Sequence, residues 1–345
     1  MSEATYAGAG VDISAGQDAV ERIRKVAATT GRPGVLGGIG GFAGMFALDV
    51  GRYRRPVLVS STDGVGTKLA VAKAADRYRT VGVDLVAMCV DDLVCTGAEP
   101  LFLLDYLAVG RLVPERVAEV VAGVADGCRQ AGCALLGGET AEHPGVMAPD
   151  DLDLAGFAVG VVEQGDELGS HRVEAGDVLL GLASPGLRSN GYSLARHVLL
   201  ERGELALDGP AWEGAAHTLA DELLAPSVIY APAVLAAIEA TGAGVHACAH
   251  ITGGGLPGNL ARSLPPGLDA RLDRGSWEEP PVFAEIARRG DVSDEEMARV
   301  FNMGLGMVLV AAPDAVVAAT RALDGAGQRV TVVGEVTPGS GQVRW

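Results

Sequence analysis

The acids Asp84, Asp91 and Asp92 share one apolar segment, and their spacing could do chemistry. In VDLVAMCVDDLVC, residues 83–95, the apolar positions Val83, Val86, Ala87, Val90 and Val94 recur at helical spacing, and Gly97 and Pro100 end the run. Asp84 and Asp91 then lie on one helix face, about 10 Å apart at ~1.5 Å per residue, with Asp92 beside the second. No Lys or Arg stands one helical turn from any of them. The helix macrodipole accounts for Asp84 at most, because its effect fades beyond the first turn. Such acids either line a solvated acidic face or hold an external cation, and an all-oxygen site favours Mg²⁺.

Five glycine-rich stretches could work with them. SSTDGVGTKLA supplies Asp63, Gly64, Gly66, Thr67 and Lys68 after the strand-like PVLVSST, yet it matches neither the P-loop nor the dinucleotide fingerprint. GGETAEHPG reads as a loop after a strand. It offers Gly138, Thr140 and the acids Glu139 and Glu142, which could complete a metal site with the helix, while its His143 reads as structural. GGIGGFA carries a GxGxxA variant at Gly38, Gly40 and Ala43 but lacks a preceding strand, so Gly40 and Gly41 read as part of a phosphate-covering loop rather than a dinucleotide site. SPGLRSNGYS and HITGGGLPGN each place glycines between a strand and a helix start, where backbone N–H groups can receive phosphate oxygens. There Arg188, Ser189, Asn190, Gly191 and Ser193, and in the second loop Gly253, Gly254 and Gly255, are candidate substrate contacts. His250, off an otherwise apolar strand, is the better candidate for a functional histidine.

These segments need a framework to bring them together. Val20, Ile23 and Val26 predict a helix over residues 15–30, stopped by Gly31 and Pro33. LFLLDYLAV, CALLGG and DLAGFAVGVV read as strands, and a helix starts at Pro114. The charged, aperiodic EQGDELGSHR, residues 163–172, marks a boundary, giving an N-terminal domain over 1–168 and a C-terminal domain over 169–345. Beyond it DVLLGLA, VHACAHI, FNMGLGMVLVA and RVTVVGEV read as strands. Without strict βαβ alternation, the fold class is α+β (mixed α/β) rather than doubly wound.

Composition narrows the function. Glycine, at 49 of 345 residues, is about twice its average share, which implies many close backbone turns. A net charge of −17 excludes nucleic acid or an anionic membrane surface as the main partner. The first residues lack a basic start, and no uncharged apolar run reaches membrane-spanning length, so a soluble cytoplasmic protein is expected. The five cysteines form no CxxC pair and read as buried structural thiols.

Taken in order, YAGAGVDISAG, GGFAGMFAL, STDGVGTKLA, VGVDLVAMCVDDLVCTGAEPLFLLDYLAVG, GGETAEHPG, SNGYSL, HITGGGLPGN and FNMGLGM resemble the phosphoribosylformylglycinamidine cyclo-ligases, also called aminoimidazole ribonucleotide synthetases. The resemblance implies ATP-dependent closure of formylglycinamidine ribonucleotide to 5-aminoimidazole ribonucleotide, the fifth step of purine biosynthesis, with Mg²⁺ as co-reactant. The alternative is another ATP-dependent synthetase or kinase of the same superfamily. It further implies a homodimer whose N-terminal strands form an intersubunit β-barrel, with helices on a mixed sheet in the C-terminal domain. By the same resemblance Asp63, Lys68, Asp84, Asp92, Glu139 and His250 fall on the family's functional positions, with Lys68, Asp92 and His250 catalytic. The chain departs from the family pattern at Arg24, usually Lys, and at Arg188, usually His.

Overall fold

The computed structural model describes residues 13–345, so the start of the YAGAGVDISAG motif lies outside the described residues. The first half contains α1 (Ile13–Ala27), β1 (Val35–Leu36), β2 (Met45–Phe46), β3 (Pro56–Gly64), α2 (Lys68–Ala75), α3 (Arg79–Val94), β4 (Glu99–Val109), α4 (Pro114–Ala131), β5 (Ala134–Glu142) and β6 (Leu152–Glu163). β3, β6, β4 and β5 form a four-stranded sheet in that order, antiparallel except for the parallel β4–β5 pair. β1 and β2 make a separate two-stranded ribbon.

The second half runs β7 (Val178–Ala183), α5 (Tyr192–Arg196), α6 (Leu219–Leu223), α7 (Ala231–Thr241), β8 (Val245–His250), α8 (Gly255–Leu260), β9 (Leu268–Leu272), α9 (Pro281–Gly290), α10 (Asp294–Val300), β10 (Leu305–Ala311), α11 (Val316–Gly325), β11 (Val330–Pro338) and β12 (Val343–Arg344). Its six strands order as β12-β9-β11-β7-β10-β8, with only the β12–β9 pair parallel. Two mixed sheets with packed helices are the α+β arrangement that the irregular alternation predicts.

Helix α3 organises the molecule. One side packs on β3 and β6, another on α4, and a third reaches α7 and β8 of the second half. A helix enclosed on every side must be apolar all round, and this one is, apart from its acids. Its crossing with α4 is close enough that a Cβ at Gly123 would lie 1.8 Å from the Arg79 carbonyl oxygen. Pro114 opens α4, where its missing N–H costs nothing, and Gly132 closes the helix in the left-handed conformation.

One local reading changes. GGETAE is not a loop but the outer half of β5, because Gly137–Glu142 find a parallel partner in Leu104–Val109 of β4. Tertiary pairing overrides the glycine signal there. All five cysteines are unpaired thiols, four of them buried, as expected.

Candidate active site

The acids of α3 part company in three dimensions. Asp84 and Asp91 side chains are 0% exposed, whereas Asp92 is 46% exposed. Asp84 meets the Lys68 ammonium at 2.6 Å through Oδ2, and its Oδ1 accepts from the Ser227 N–H and hydroxyl at 2.8 and 2.6 Å. Lys68 also donates to the carbonyls of Arg188 (3.0 Å) and Ala225 (2.7 Å). An ammonium has three protons, and with three such neighbours none is left for a ligand. Burial depresses the Lys68 ammonium, with Asp84 opposing the shift.

Asp91 is equally committed. Its Oδ1 accepts from the Tyr230 and Ala231 N–H groups at 2.8 and 3.0 Å, and its Oδ2 from Arg188 Nη2 at 2.9 Å. Burial pushes the carboxyl up while Arg188 pulls it down. Three sequence expectations are corrected by this geometry. Asp84 and Asp91 are not free metal ligands, because their counter-charges come from outside the helix. Lys68, which the resemblance makes catalytic, has its ammonium buried against Asp84 and two carbonyls. The Arg188 side chain, 1% exposed and 4.8 Å over the Tyr230 ring, does not reach a substrate.

The site-facing carboxylates are Asp63, at the end of β3, and Asp92. Asp63 Oδ1 accepts from the Gly64 N–H at 2.7 Å. Burial raises its carboxyl, the Gly64 N–H opposes this, and the nearby negative Asp92 adds to the rise. For Asp92, burial is the largest influence and pushes upward, but hydrogen bonds from His250 and Ser61 together with nearby positive charge outweigh it, and the carboxyl sits below its usual range. His250 Nδ1 lies 2.8 Å from Asp92 Oδ1, and Nε2 lies 3.0 Å from Arg188 Nη2. A guanidinium only donates, so Nε2 accepts and Nδ1 carries the proton that Asp92 receives. His250 is 2% exposed with both nitrogens engaged. It therefore orients Asp92, a positioning part rather than the free catalytic side chain that the resemblance implies.

A cleft of about 350 Å³ between the halves is lined by Ser61, Asp92, Ser170, His250, Asn259 and Arg262, among others. At its flank the loop before α2 meets the loop before α5: Thr67 Oγ1 lies 3.1 Å from Ser193 Oγ. Ser189 Oγ and Asn190 Oδ1 are buried and unpartnered, and Asn190 adjoins Gly253 of the triple-glycine turn. Gly191, Gly254 and Gly255 shape these turns, with Gly191 and Gly254 serving as left-handed N-caps of α5 and α8. The structure thus brings together Asp63, Gly64, Gly66, Thr67, Asp92, Ser189, Asn190, His250 and Gly253, which the sequence scatters.

Glu139, Gly138, Thr140, Gly40 and Gly41 lie elsewhere. β5 is three strand spacings from β3, about 14 Å. Glu139 pairs with Tyr106, one residue out of phase with the Asp63 row, so it faces the opposite side of the sheet. It cannot complete a metal site with Asp63 and Asp92 within this chain. Among the described residues no cluster of three or more His, Cys, Asp or Glu is arranged to ligate a metal.

Around β5 these residues line adjoining grooves, Glu139 and Thr140 with Arg24 of α1, and Gly40 and Gly41 with Phe42. Asp105 of β4 borders both grooves and was missed by sequence reasoning. It occupies the same cross-strand row as Asp63, through Gly156, with Gly138 on its other side. The available signal was an acid inside the apolar run LFLLDYLAV, the kind of interruption that drew attention to His250.

Residues 48–162 match the family model for AIR synthase related protein, N-terminal domain, and residues 174–345 match that for its C-terminal domain. Phosphoribosylformylglycinamidine cyclo-ligase of Myxococcus xanthus (strain DK1622) is 55% identical over 338 residues, 98% of this chain and 97% of the relative. The protein of that name from Geobacillus thermodenitrificans (strain NG80-2) is 50% identical over 336 residues, 97% and 96% of the two chains. Thiamine-monophosphate kinase from Stenotrophomonas maltophilia K279a shares the fold at TM-score 0.69 and 22% identity, with 95% of each chain covered. Hydrogenase maturation protein HypE in complex with ATP does so at TM-score 0.61 and 17% identity, covering 88% of this chain and 84% of that one. Identity of this level over nearly the whole length decides between the fold relatives and the cyclo-ligases: the chain belongs to the phosphoribosylformylglycinamidine cyclo-ligase family of AIR synthase related proteins.

Proposed function

We propose that the chain uses ATP to cyclise formylglycinamidine ribonucleotide to 5-aminoimidazole ribonucleotide, releasing ADP and phosphate. The observation that carries this reading is the full-length identity to cyclo-ligases, joined to a cleft between the halves lined by Asp92, His250 and Arg262, with Asp63 close to Asp92. An amide oxygen is a poor leaving group. Transfer of the γ-phosphoryl group to the formyl oxygen converts it into phosphate, which departs once the ribosyl nitrogen has attacked the formyl carbon.

Positioning is the chain's main contribution. Holding the substrate coiled for ring closure removes an entropic barrier that reaches about 7–11 kcal/mol in well-oriented reactions. Ser189 and Asn190, buried without partners in the loop that adjoins Gly253, are the chain's candidates for holding the substrate. Asp63 and Asp92 fit a Mg²⁺ ion, because it needs one or two carboxylates and keeps water and phosphate as its other ligands. When bound, the ion neutralises charge on the phosphoryl group in transfer. His250 and Arg188 hold Asp92 in place.

A homodimer is part of the same reading. The sheet face away from α3 leaves Leu58, Tyr106 and Phe157 at 63%, 43% and 42% exposed, and a partner's equivalent face would close these strands into a barrel. Phosphate release assayed with formylglycinamidine ribonucleotide tests the reaction. Release with that substrate supports it, whereas ADP formed with thiamine monophosphate without free phosphate assigns the chain to a kinase instead.

A further inference from the structure

The basic residues of the two glycine loops are spoken for: Lys68 is committed to Asp84, and Arg188 to Asp91. Arg262 is not. It lies in the short turn Ala261–Ser263 after α8, is exposed, and among the described residues is the only Lys or Arg that lines the cleft between the halves. Nor does it form an ion pair with a carboxylate of the described residues. In a chain of net charge −17, an arginine without a carboxylate on a cleft wall is a positive spot in a negative surround.

Its place is set by the residues around it. One turn earlier, the buried Asn259 donates from Nδ2 to the carbonyls of Thr252, Gly253 and Gly255 at 3.2, 3.2 and 2.9 Å. An amide tied through its nitrogen to these carbonyls must turn its oxygen the other way. Asn259 Oδ1 there meets the Thr252 hydroxyl at 3.4 Å and Arg262 Nη1 at 3.5 Å. Asn259 thus steadies the guanidinium without neutralising it, as a carboxylate would. Ser263 donates its hydroxyl to the Cys248 carbonyl at 2.8 Å, which pins the turn to β8. Ser60 and Ser170 line the same cleft, and the charge of Arg262 is close enough to act on Asp92.

A guanidinium is a planar fork of N–H donors that matches the oxygens of a phosphate monoester. The ribonucleotide of the proposed reaction carries such a group, and ring closure leaves it untouched. The γ-phosphoryl group has the metal on Asp63 and Asp92 to offset its charge, whereas the monoester has no other cation in the cleft. We infer that Arg262 anchors the phosphate monoester of the ribonucleotide substrate, so that the reacting end points toward Asp63 and Asp92. This rests on the cyclisation reading and adds what holds the part of the substrate that does not react. Binding a remote group in this way positions the reacting atoms.

The test compares kcat/KM, measured by phosphate release, for formylglycinamidine ribonucleotide and for its riboside, which lacks the monoester, in wild type and Arg262→Met. Charge-assisted hydrogen bonds set the scale of the effect at about 10- to 100-fold. The variant should lose that factor with the ribonucleotide and change little with the riboside, while KM for ATP holds. Ribose 5-phosphate should compete with the ribonucleotide in wild type and about 10- to 100-fold less well in Arg262→Met. Arg262→Lys keeps the charge but not the fork and should recover part of the loss. Because the side chain is exposed, both variants should melt with wild type. Unchanged kinetics in Arg262→Met make the residue a solvated surface arginine and overturn the inference. An equal loss with ribonucleotide and riboside, or a raised KM for ATP with the ribonucleotide preference intact, also overturns it and leaves the cyclisation reading in place. Wild type that releases no phosphate with the ribonucleotide overturns both.

Discussion

Replacing Lys68 with Met isolates what the buried ion pair does. The change keeps the length and apolar stem of the side chain but leaves Asp84 Oδ2 without the ammonium that sits 2.6 Å away. Both side chains are 0% exposed, so water cannot take over. Breaking one side of a buried pair costs about 3–5 kcal/mol, a large part of the ~5–15 kcal/mol that holds a typical protein folded. At roughly 2–4 °C per kcal/mol for a chain of this order, Lys68→Met should melt about 10 °C lower than wild type. Adding Asp84→Asn removes the orphaned charge yet keeps Oδ1, which accepts from the Ser227 N–H and hydroxyl. The double variant should therefore recover about 2 kcal/mol in urea unfolding, the signature of a coupled pair. If Lys68→Met unfolds at the wild-type urea midpoint but turns over ~100-fold more slowly, the lysine reaches the substrate and the structural assignment is refuted.

Other expectations follow from the same geometry. Asp92→Asn should raise the Mg²⁺ concentration needed for half-maximal activity; an unchanged metal titration would remove Asp92 from the metal site. Asp105 titrates near 7 in the fold and near 3.9 when unfolded, so the folded state binds the extra proton between these values. Its stabilising effect is present at low pH and is lost as pH rises through about 7, so wild type should lose stability relative to Asp105→Asn between pH 5 and pH 8; urea midpoints at both pH values check the sign. Phe157→Glu places a charge on the open sheet face and should shift the proposed dimer toward monomer in light scattering, with a wild-type monomer or a persistent variant dimer counting against that face as the interface.

Much of the framework was legible because period and punctuation agreed with tertiary need. α4 begins at Pro114 and ends before Gly132, as its sequence predicts. α3 was legible as a helix carrying acids, but the fate of those acids was not. Arg188 lies 97 residues from Asp91, and no local spacing reports a counter-charge that arrives from another domain. The outer half of β5 was misread for a related reason: its glycines spoke for a loop, and only pairing with β4 made it a strand. The site was legible in its residue types and less so in its grouping. Asp63, Asp92 and His250 converge, while Glu139 faces the other side of the sheet and Gly138 lies three strands from Asp63.

The ties from α3 to Arg188, Ser227, Tyr230 and His250 bear on how the protein can be divided. Expressed alone, the first half would carry Asp91 in an apolar helix face with no guanidinium to meet it, and the second half would carry Arg188 with no carboxylate. Neither fragment has the charges that its own interior requires. The two family-defined segments are thus electrostatic complements, expected to unfold as one cooperative unit however separate their sheets look on paper.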